Sequence, residues 1–338
     1  FRFIMQGGFD GLNIFNKEKA EMSSIAAHRE ASDENQNNTF TGATIESYKR
    51  AINVLADKSA TEFQLLAIPG IREPVITDYA IVACENRFDA MFVMDIEESD
   101  RGNAVIVDSS VRPSVSQIIS RFGERQLNTS FAAAYFPDVI MRRPSNGAPL
   151  QVPPSVSMLG VMSQNDTLAD PWFAPAGLTR GRLNAQNAKV QMNRDTLNDL
   201  YDVDINPIYE PAGRSGEVYA FGQKTLLQNQ SALDRINVRR LLITVKQFLD
   251  QQAGNVVFEQ NTVATRNNFL AIVNPYLESV QQRQGLYAFK VVMDASNNTP
   301  SVIDRNELVG QIYLQPTKTA EFIILDFNVL PTGATFPA

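Results

Sequence analysis

The sequence predicts an α/β fold that passes into α+β: a mainly parallel sheet flanked by helices, then a C-terminal α+β domain. Two observations carry this. Between about residues 42 and 165, short apolar runs alternate with amphipathic helical stretches, the pattern of strands covered on both faces. Beyond about residue 204, helices and strands come in separate blocks. A Pro- and Gly-rich stretch, DPWFAPAGLTRG at 170–181, lies between the two regimes. The predicted boundary is therefore near Asp204, giving domains at 1–204 and 205–338.

Each element follows from local pattern. REASDENQNNTF (29–40) is almost wholly polar and predicts an exposed loop. TIESYKRAINVLAD places Ile45, Tyr48, Ile52 and Leu55 on one helical stripe. FQLLAIPG reads as a buried strand ended by Pro69 and Gly70, VITDYAIVACENR as a helix, and AMFVMDIE as a strand. SVSQIISRFGER is a helix, SFAAAYFPD a third strand, and PPSVSMLGVMSQND a helix with prolines at its start. A short helix follows near 193–201, and strand signals return in INPIYEPAGRSGEVYAFG.

In the second half, Ser231 is placed to cap a helix, with Asp234 near its positive end. Val238, Leu241, Leu242, Val245 and Leu249 form that helix's apolar stripe. VVFEQ reads as a strand. A second helix is expected from about Thr262 to Gln284, kinked at Pro275 and stopped by Gly285. LYAFKVVMD, LVGQIYLQ and AEFIILDFNV read as strands. The opening FRFIMQGGFDGLNIF reads as a strand and turn already inside a domain, so the chain is expected to be part of a longer one.

Composition narrows the function. A 44% hydrophobic and 20% charged content is that of a globular chain. The net charge of −7, from 30 basic and 37 acidic residues, argues against a protein that mainly neutralises phosphate backbones. No apolar run approaches the roughly 18 residues of a membrane span. Cys84 is the single cysteine, so no intrachain disulfide forms.

Catalytic signatures are sparse. His28 is the only histidine, and no serine lies in a G-x-S-x-G elbow, which leaves a Ser-His-Asp hydrolase as the weaker reading. Cys84 sits in an apolar helix, where a buried and inert thiol is expected. One Cys and one His do not make a zinc site. DVDIN (202–206) resembles the start of a calcium loop, but Pro207 and Gly213 stand where glycine and glutamate are required. Neither standard phosphate-binding glycine motif is present. Asp95, Asp108 and Asp138 lie at or beyond strand ends, where such residues more often cap turns than catalyse. No cofactor is predicted.

Charge without a catalytic companion is the more distinctive signal. In SALDRINVRRLL, Arg235 and Arg239 are one turn apart with no acid between them on the helix. Their partners must lie elsewhere in the fold or on another molecule. Arg235, Arg239 and Arg240 are therefore candidate intersubunit contacts, with the adjacent Asp304 and Arg305.

DPWFAPAGLTRG (170–181), SALDRINVRRLL (231–242) and NNTPSVIDRNELVGQIYLQPTKTAEFIILDF (297–327) closely resemble contractile tail sheath proteins of myophages, a family shared with R-type pyocins and contractile injection devices. GGFDGLNIF resembles the family's entry into its subtilisin-like domain. The resemblance implies a structural role without catalysis, in the virion tail, after assembly in the host cytoplasm. Subunits of that family stack around a tail tube and contract to drive it through the host envelope. The implied partners are neighbouring copies, joined by strand addition, with the tube, baseplate and tail terminator proteins; direct nucleic-acid contact and membrane insertion are not implied. The family's N-terminal arm is not seen in this sequence, so the chain alone is expected to remain monomeric.

Overall fold

The computed structural model describes residues 22–32, 42–96, 115–211, 213–214 and 216–321. Helix α1 (Ser24–Ala31) starts where the Ser23 side chain accepts from the Ala26 amide. Helix α2 (Ala43–Ala56) has Gly42 at its N-cap, which offers no side chain. Glu30 of α1 takes that place, accepting from the Thr44 and Ile45 amides at 2.9–3.0 Å. A carboxylate at a positive helix end is stabilising.

Strand β1 (Leu65–Ala67) leads to α3 (Pro74–Arg87), which has proline in its first turn and closes on Phe88 in the left-handed region at φ 65°. Then come β2 (Met91–Asp95), α4 (Val115–Glu124) and β3 (Ala132–Phe136). Strands β4 (Val139–Arg142) and β5 (Pro149–Val152) precede α5 (Pro154–Leu168). A short helix α6 (Gly177–Arg180), the two-residue strands β6 (Arg182–Leu183) and β7 (Asn187–Ala188), and α7 (Arg194–Asp202) follow.

Strands β8 (Ile205–Tyr209) and β9 (Val218–Ala220) come next, then α8 (Ile236–Gly254) and α9 (Val263–Gln282). Strand β10 (Leu286–Val292), the one-turn α10 (Pro300–Asp304) and β11 (Gln311–Pro316) end the described chain.

The main sheet has six strands in the order β1-β2-β3-β8-β9-β6. Its first four strands are parallel, and β9 and β6 add on antiparallel. All five residues of β2 and of β3 are buried, as they must be in a sheet covered on both sides. Alternation divides them. Phe92, Met94, Ala132, Ala134 and Phe136 face a core completed by Ile45, Ile52, Ile76 and Ile118 of α2, α3 and α4. Met91, Val93, Ala133 and Tyr135 face the other core, with Met158, Val161 and Met162 of α5 and Ile236 and Ile243 of α8.

A third core is built from Leu241 and Val245 of α8, Phe269, Val273 and Leu277 of α9, and Leu286 of β10. The antiparallel pair β10–β11 lies over it, with Phe289, Val291, Ile312 and Leu314 turned inward.

Three expectations are corrected. The predicted boundary near Asp204 falls inside the main sheet, because β8 pairs with β3 in register Ala134↔Ile205 to Phe136↔Pro207. Trp172, ahead of that boundary, is buried in the third core, so the Pro- and Gly-rich stretch joins the two halves rather than separating them. VVFEQ is not a strand. It forms the turn after α8, with Val257 exposed and Phe258 fully exposed at φ 70°. In addition, Ser231 caps a short 3-10 turn (Ala232–Asp234), and α8 starts only after Arg235. Helix α9 runs through Pro275. AEFIILDFNV, apart from its first residues, lies outside the described residues, as do GGFDGLNIF and the polar loop beyond Ser32.

Candidate functional site: the arginine helix and the C-terminal ribbon

The N-terminal half of α8 lies between the second and third cores, so its polar residues meet both halves of the molecule. Arg235, at the N-cap, is half-buried. Its Nε donates to Glu321 Oε1 at 2.7 Å, and its Nη1 lies 3.2 Å from Asp234 Oδ2. Glu321 also accepts from the Tyr201 hydroxyl and from Gln223 Nε2 at 2.9 Å. Burial alone would raise the Glu321 carboxyl. The three donors and the Arg235 charge outweigh it and hold the group below the usual carboxylate range.

Arg239 is buried at 4% exposure. Its Nη2 donates to Ser130 Oγ, and its guanidinium lies 4.0 Å from the Phe131 ring centroid. Burial lowers its pKa to about 10. Arg240 is 2% exposed, and its Nη2 donates to Asp166 Oδ2 at 2.5 Å. Both are therefore withdrawn as intersubunit contacts. They hold α8 to the residues just before β3 and to α5, because a buried cation needs its partner inside the fold.

Asp304 and Arg305 are at the surface. Arg305 does not pair with Asp304. It binds Glu307 through two contacts of 2.9 and 3.2 Å and reaches Ser301 Oγ at 3.1 Å. Asp304, at the end of α10, makes no ion pair among the described residues.

Trp172 completes the joint. Its indole donates to the Arg283 carbonyl at 3.0 Å, and the Arg283 guanidinium stacks on the ring and pairs with Asp170 at 2.6 Å. Gly285, expected as a helix stop, is needed for another reason. A Cβ there would meet Val280 at 2.7 Å and the indole at 3.1 Å.

The sheet's C-terminal ends hold the other candidates. Asp95 accepts from the Gly70 amide, the Ser155 amide and Ser155 Oγ at 2.7–3.0 Å, tying α5 to the loop after β1. Burial raises its pKa against those bonds. Asp138 accepts from Arg72 Nη2 and Gln151 Nε2, both at 2.6 Å. Asp108 lies outside the described residues. Burial pushes the Cys84 thiol up to about 12, far from a reactive thiolate.

His28 is partnered rather than simply solvated. Its Nδ1 lies 3.0 Å from Glu73 Oε2, and its Nε2 lies 3.4 Å from Ser32 Oγ. The order Ser-His-Glu is that of a triad, but the serine is one turn further along the same helix. Its hydroxyl donates to the His28 carbonyl at 2.7 Å, closing α1 rather than offering a nucleophile. Ser155, a fully buried serine, bonds Asp95 instead.

The fold and this joint define an α/β protein whose polar groups tie its own layers together. Residues 228–330 match the family described as the phage tail sheath C-terminal domain, which spans two of the three strings that carried the resemblance. The tail sheath protein of Vibrio phage KVP40 is 40% identical over 186 residues, 55% of this chain and 27% of that protein. That of Enterobacteria phage T4 is 36% identical over 187 residues, 55% of this chain and 28% of that protein. This chain thus aligns with little more than a quarter of the length of these relatives.

Among solved structures, the contracted sheath complex of the extracellular contractile injection system PVC superposes with a TM-score of 0.66 at 23% identity, over 82% of this chain and 74% of that one. A chain of the anti-feeding prophage baseplate gives 0.64 at 20%, over 90% and 79%. These two show a shared fold. The chain is thus similar in sequence to phage tail sheath proteins, and its residues 228–330 match the model of their C-terminal domain.

Sequence reasoning missed Glu321, Tyr201, Gln223, Asp166 and Trp172 as members of the joint. Only the long distances between them in the chain could have flagged them, and a single sequence does not display those. The one available signal was that DPWFAPAGLTRG and SALDRINVRRLL both stood out, and the structure brings them together through Asn237 Nδ2 and the Trp172 carbonyl at 3.4 Å.

Proposed function

We propose that this chain is part of a subunit of a contractile tail sheath, which polymerises around a tail tube and contracts to drive the tube through a host envelope. The observation that carries the reading is the 40% identity over 186 residues to a tail sheath protein. On this reading the partners are neighbouring copies, the tube, the baseplate and the tail terminator, and the protein resides in the virion after assembly in the host cytoplasm. The role is mechanical and not enzymatic. The sheet layer is the family's subtilisin-like domain without its triad. We favour a division near residue 228, where the match to the C-terminal domain begins, over one at 204.

The β10–β11 ribbon supports linkage by strand addition. Neither outer edge is paired among the described residues, and a two-stranded sheet is only marginally stable alone. An added strand would gain a full ladder of backbone hydrogen bonds. Asp304, Arg305 and Arg235 remain the charged candidates for contacts with a neighbour, the first two because they are exposed beside the ribbon. Open, heterologous contacts of this kind build helical stacks.

The test is to express the full-length protein with its tube protein and image the product. Long cylinders around a tube are expected. A full-length protein that never forms cylinders, with or without the tube, overturns the reading.

A further inference from the structure

Where α5, β3 and α8 meet, five buried polar atoms have no protein partner among the described residues: Arg240 Nη1, the Tyr135 hydroxyl, Asn165 Oδ1, Asp166 Oδ1 and Asn237 Oδ1. They are not scattered. Arg240 is bonded to Asp166 through its other terminal nitrogen, and its charge acts on Tyr135. Asn165 and Asn237 lie beside these on the same two helices. Both spend their amide nitrogens on one stretch of chain: Asn165 donates to the Phe173 carbonyl at 2.9 Å and Asn237 to the Trp172 carbonyl at 3.4 Å. Tyr135 is 0% exposed, Asn237 and Arg240 2%, and Asn165 3%, so bulk solvent does not reach them; Asp166 lies at the rim, its side chain 31% exposed but its Oδ1 covered.

Five unmet polar atoms in one place are hard to reconcile with a stable fold. Each buried donor or acceptor without a partner has lost its hydration with nothing in return, and buried polar groups are almost always satisfied. The chemistry of the set says what satisfies them. Arg240 and Tyr135 supply donors, and Asp166, Asn165 and Asn237 supply acceptors. The one cation is balanced by the one carboxylate, so the set favours no ion of either sign. A ligand that must both accept and donate, carry no charge and fit within a packed joint is water.

We infer that the joint between α5, β3 and α8 is a buried hydration site, in which ordered water is held by Arg240, Tyr135, Asn165, Asp166 and Asn237. The site lies between the second core and the Trp172 end of the third. Water there makes part of the contact between the sheet layer and the C-terminal domain hydrogen-bonded rather than wholly apolar. Its registry is thus fixed by direction as well as by shape. The inference stands on this chain's own packing and does not depend on the sheath reading.

A crystal structure of this chain at a resolution that shows ordered solvent is the direct test. At least one water is expected within hydrogen-bond distance of Arg240 Nη1 and of the Tyr135 hydroxyl or Asn237 Oδ1. A dry site, a bound ion, or pairing of the five atoms with protein groups overturns the inference. Tyr135→Phe gives a second reading whose sign discriminates. If the hydroxyl binds water, the urea midpoint falls. If it is truly unpartnered, its removal relieves a desolvation cost, and an unchanged or higher midpoint overturns the inference.

Discussion

The six-stranded sheet and the β10–β11 ribbon solve the same problem in opposite ways. In the sheet, β2 and β3 are buried along their whole length, and helices cover both faces. In the ribbon, burial alternates along β11, with Gln311, Tyr313 and Gln315 facing out, and both edges are open among the described residues. The first has both faces covered within one chain, and only its short edge strands β1 and β6 lack a second partner among the described residues. The second has backbone groups left to pair. The difference teaches where stability and assembly can be varied separately: changes in the sheet should act on folding, changes on the ribbon's outer face on what binds it.

Side-chain truncation tests that division most strongly. Phe92→Ala, in β2 at 1% exposure, should cost about 4 kcal/mol in urea denaturation, within the usual range for a buried phenylalanine. Tyr313→Ala, at 57% exposure on the outer face of β11, should change stability by less than about 0.5 kcal/mol. Comparable losses at the two positions would break the comparison.

Arginines sharpen it. Arg240→Ala leaves Asp166 without its cation in a mostly buried joint and should cost about 3 kcal/mol. Arg239→Met should cost much less, because Arg239 has a hydroxyl and a ring as partners but no carboxylate among the described residues. Arg305→Ala, on the surface beside Glu307, should leave the urea midpoint where it is. In the full-length protein, loss of cylinder formation in Arg305→Ala with unchanged folding would support the surface role.

What could be read from the sequence follows from how local each cause is. Strands β1 to β3 and helices α2 to α5 were legible because burial on a sheet or helix face imposes a short-range period. VVFEQ misled because a β-branched and aromatic run has strand character, yet Gly254 ends α8 just before it and Phe258 takes a left-handed turn. The boundary at Asp204 misled because pairing of β8 with β3 joins residues about 70 apart, which composition does not record. Arg235, singled out with Arg239 as needing partners elsewhere, also pairs with its sequence neighbour Asp234, whereas the buried Arg239 and Arg240 reach far along the chain. Their partners, Ser130 and Asp166, are 109 and 74 residues away, so sequence alone left open whether they lay inside or outside the subunit.

The Glu321 contact allows a finer test, since it fastens the end of the described chain to the sheet side through Tyr201, Gln223 and Arg235. Its carboxyl is held below its ordinary value, so the contact's stabilisation is fully present above the unfolded pKa, about 4.3, and is lost as pH falls through the folded value. Amide protection factors at residues 317–321 should therefore fall on acidification below about pH 4, before those in β2 and β3 do. Glu321→Gln should show that lower protection at neutral pH. Equal protection of the two regions down to global unfolding would mean that Glu321 does not fasten the segment.

The smallest expected effect is none at all. His28 bridges α1 to α3 through Glu73, and Ser32 turns its hydroxyl proton to the His28 carbonyl at 2.7 Å rather than to the imidazole at 3.4 Å. A serine committed to a backbone carbonyl at a helix end is not an activated nucleophile. The chain should therefore leave a nitrophenyl ester at its uncatalysed rate of hydrolysis, and His28→Ala should leave that rate unchanged while slightly loosening α1. Turnover that disappeared in both His28→Ala and Ser32→Ala would make the three residues a working triad and reopen the hydrolase reading.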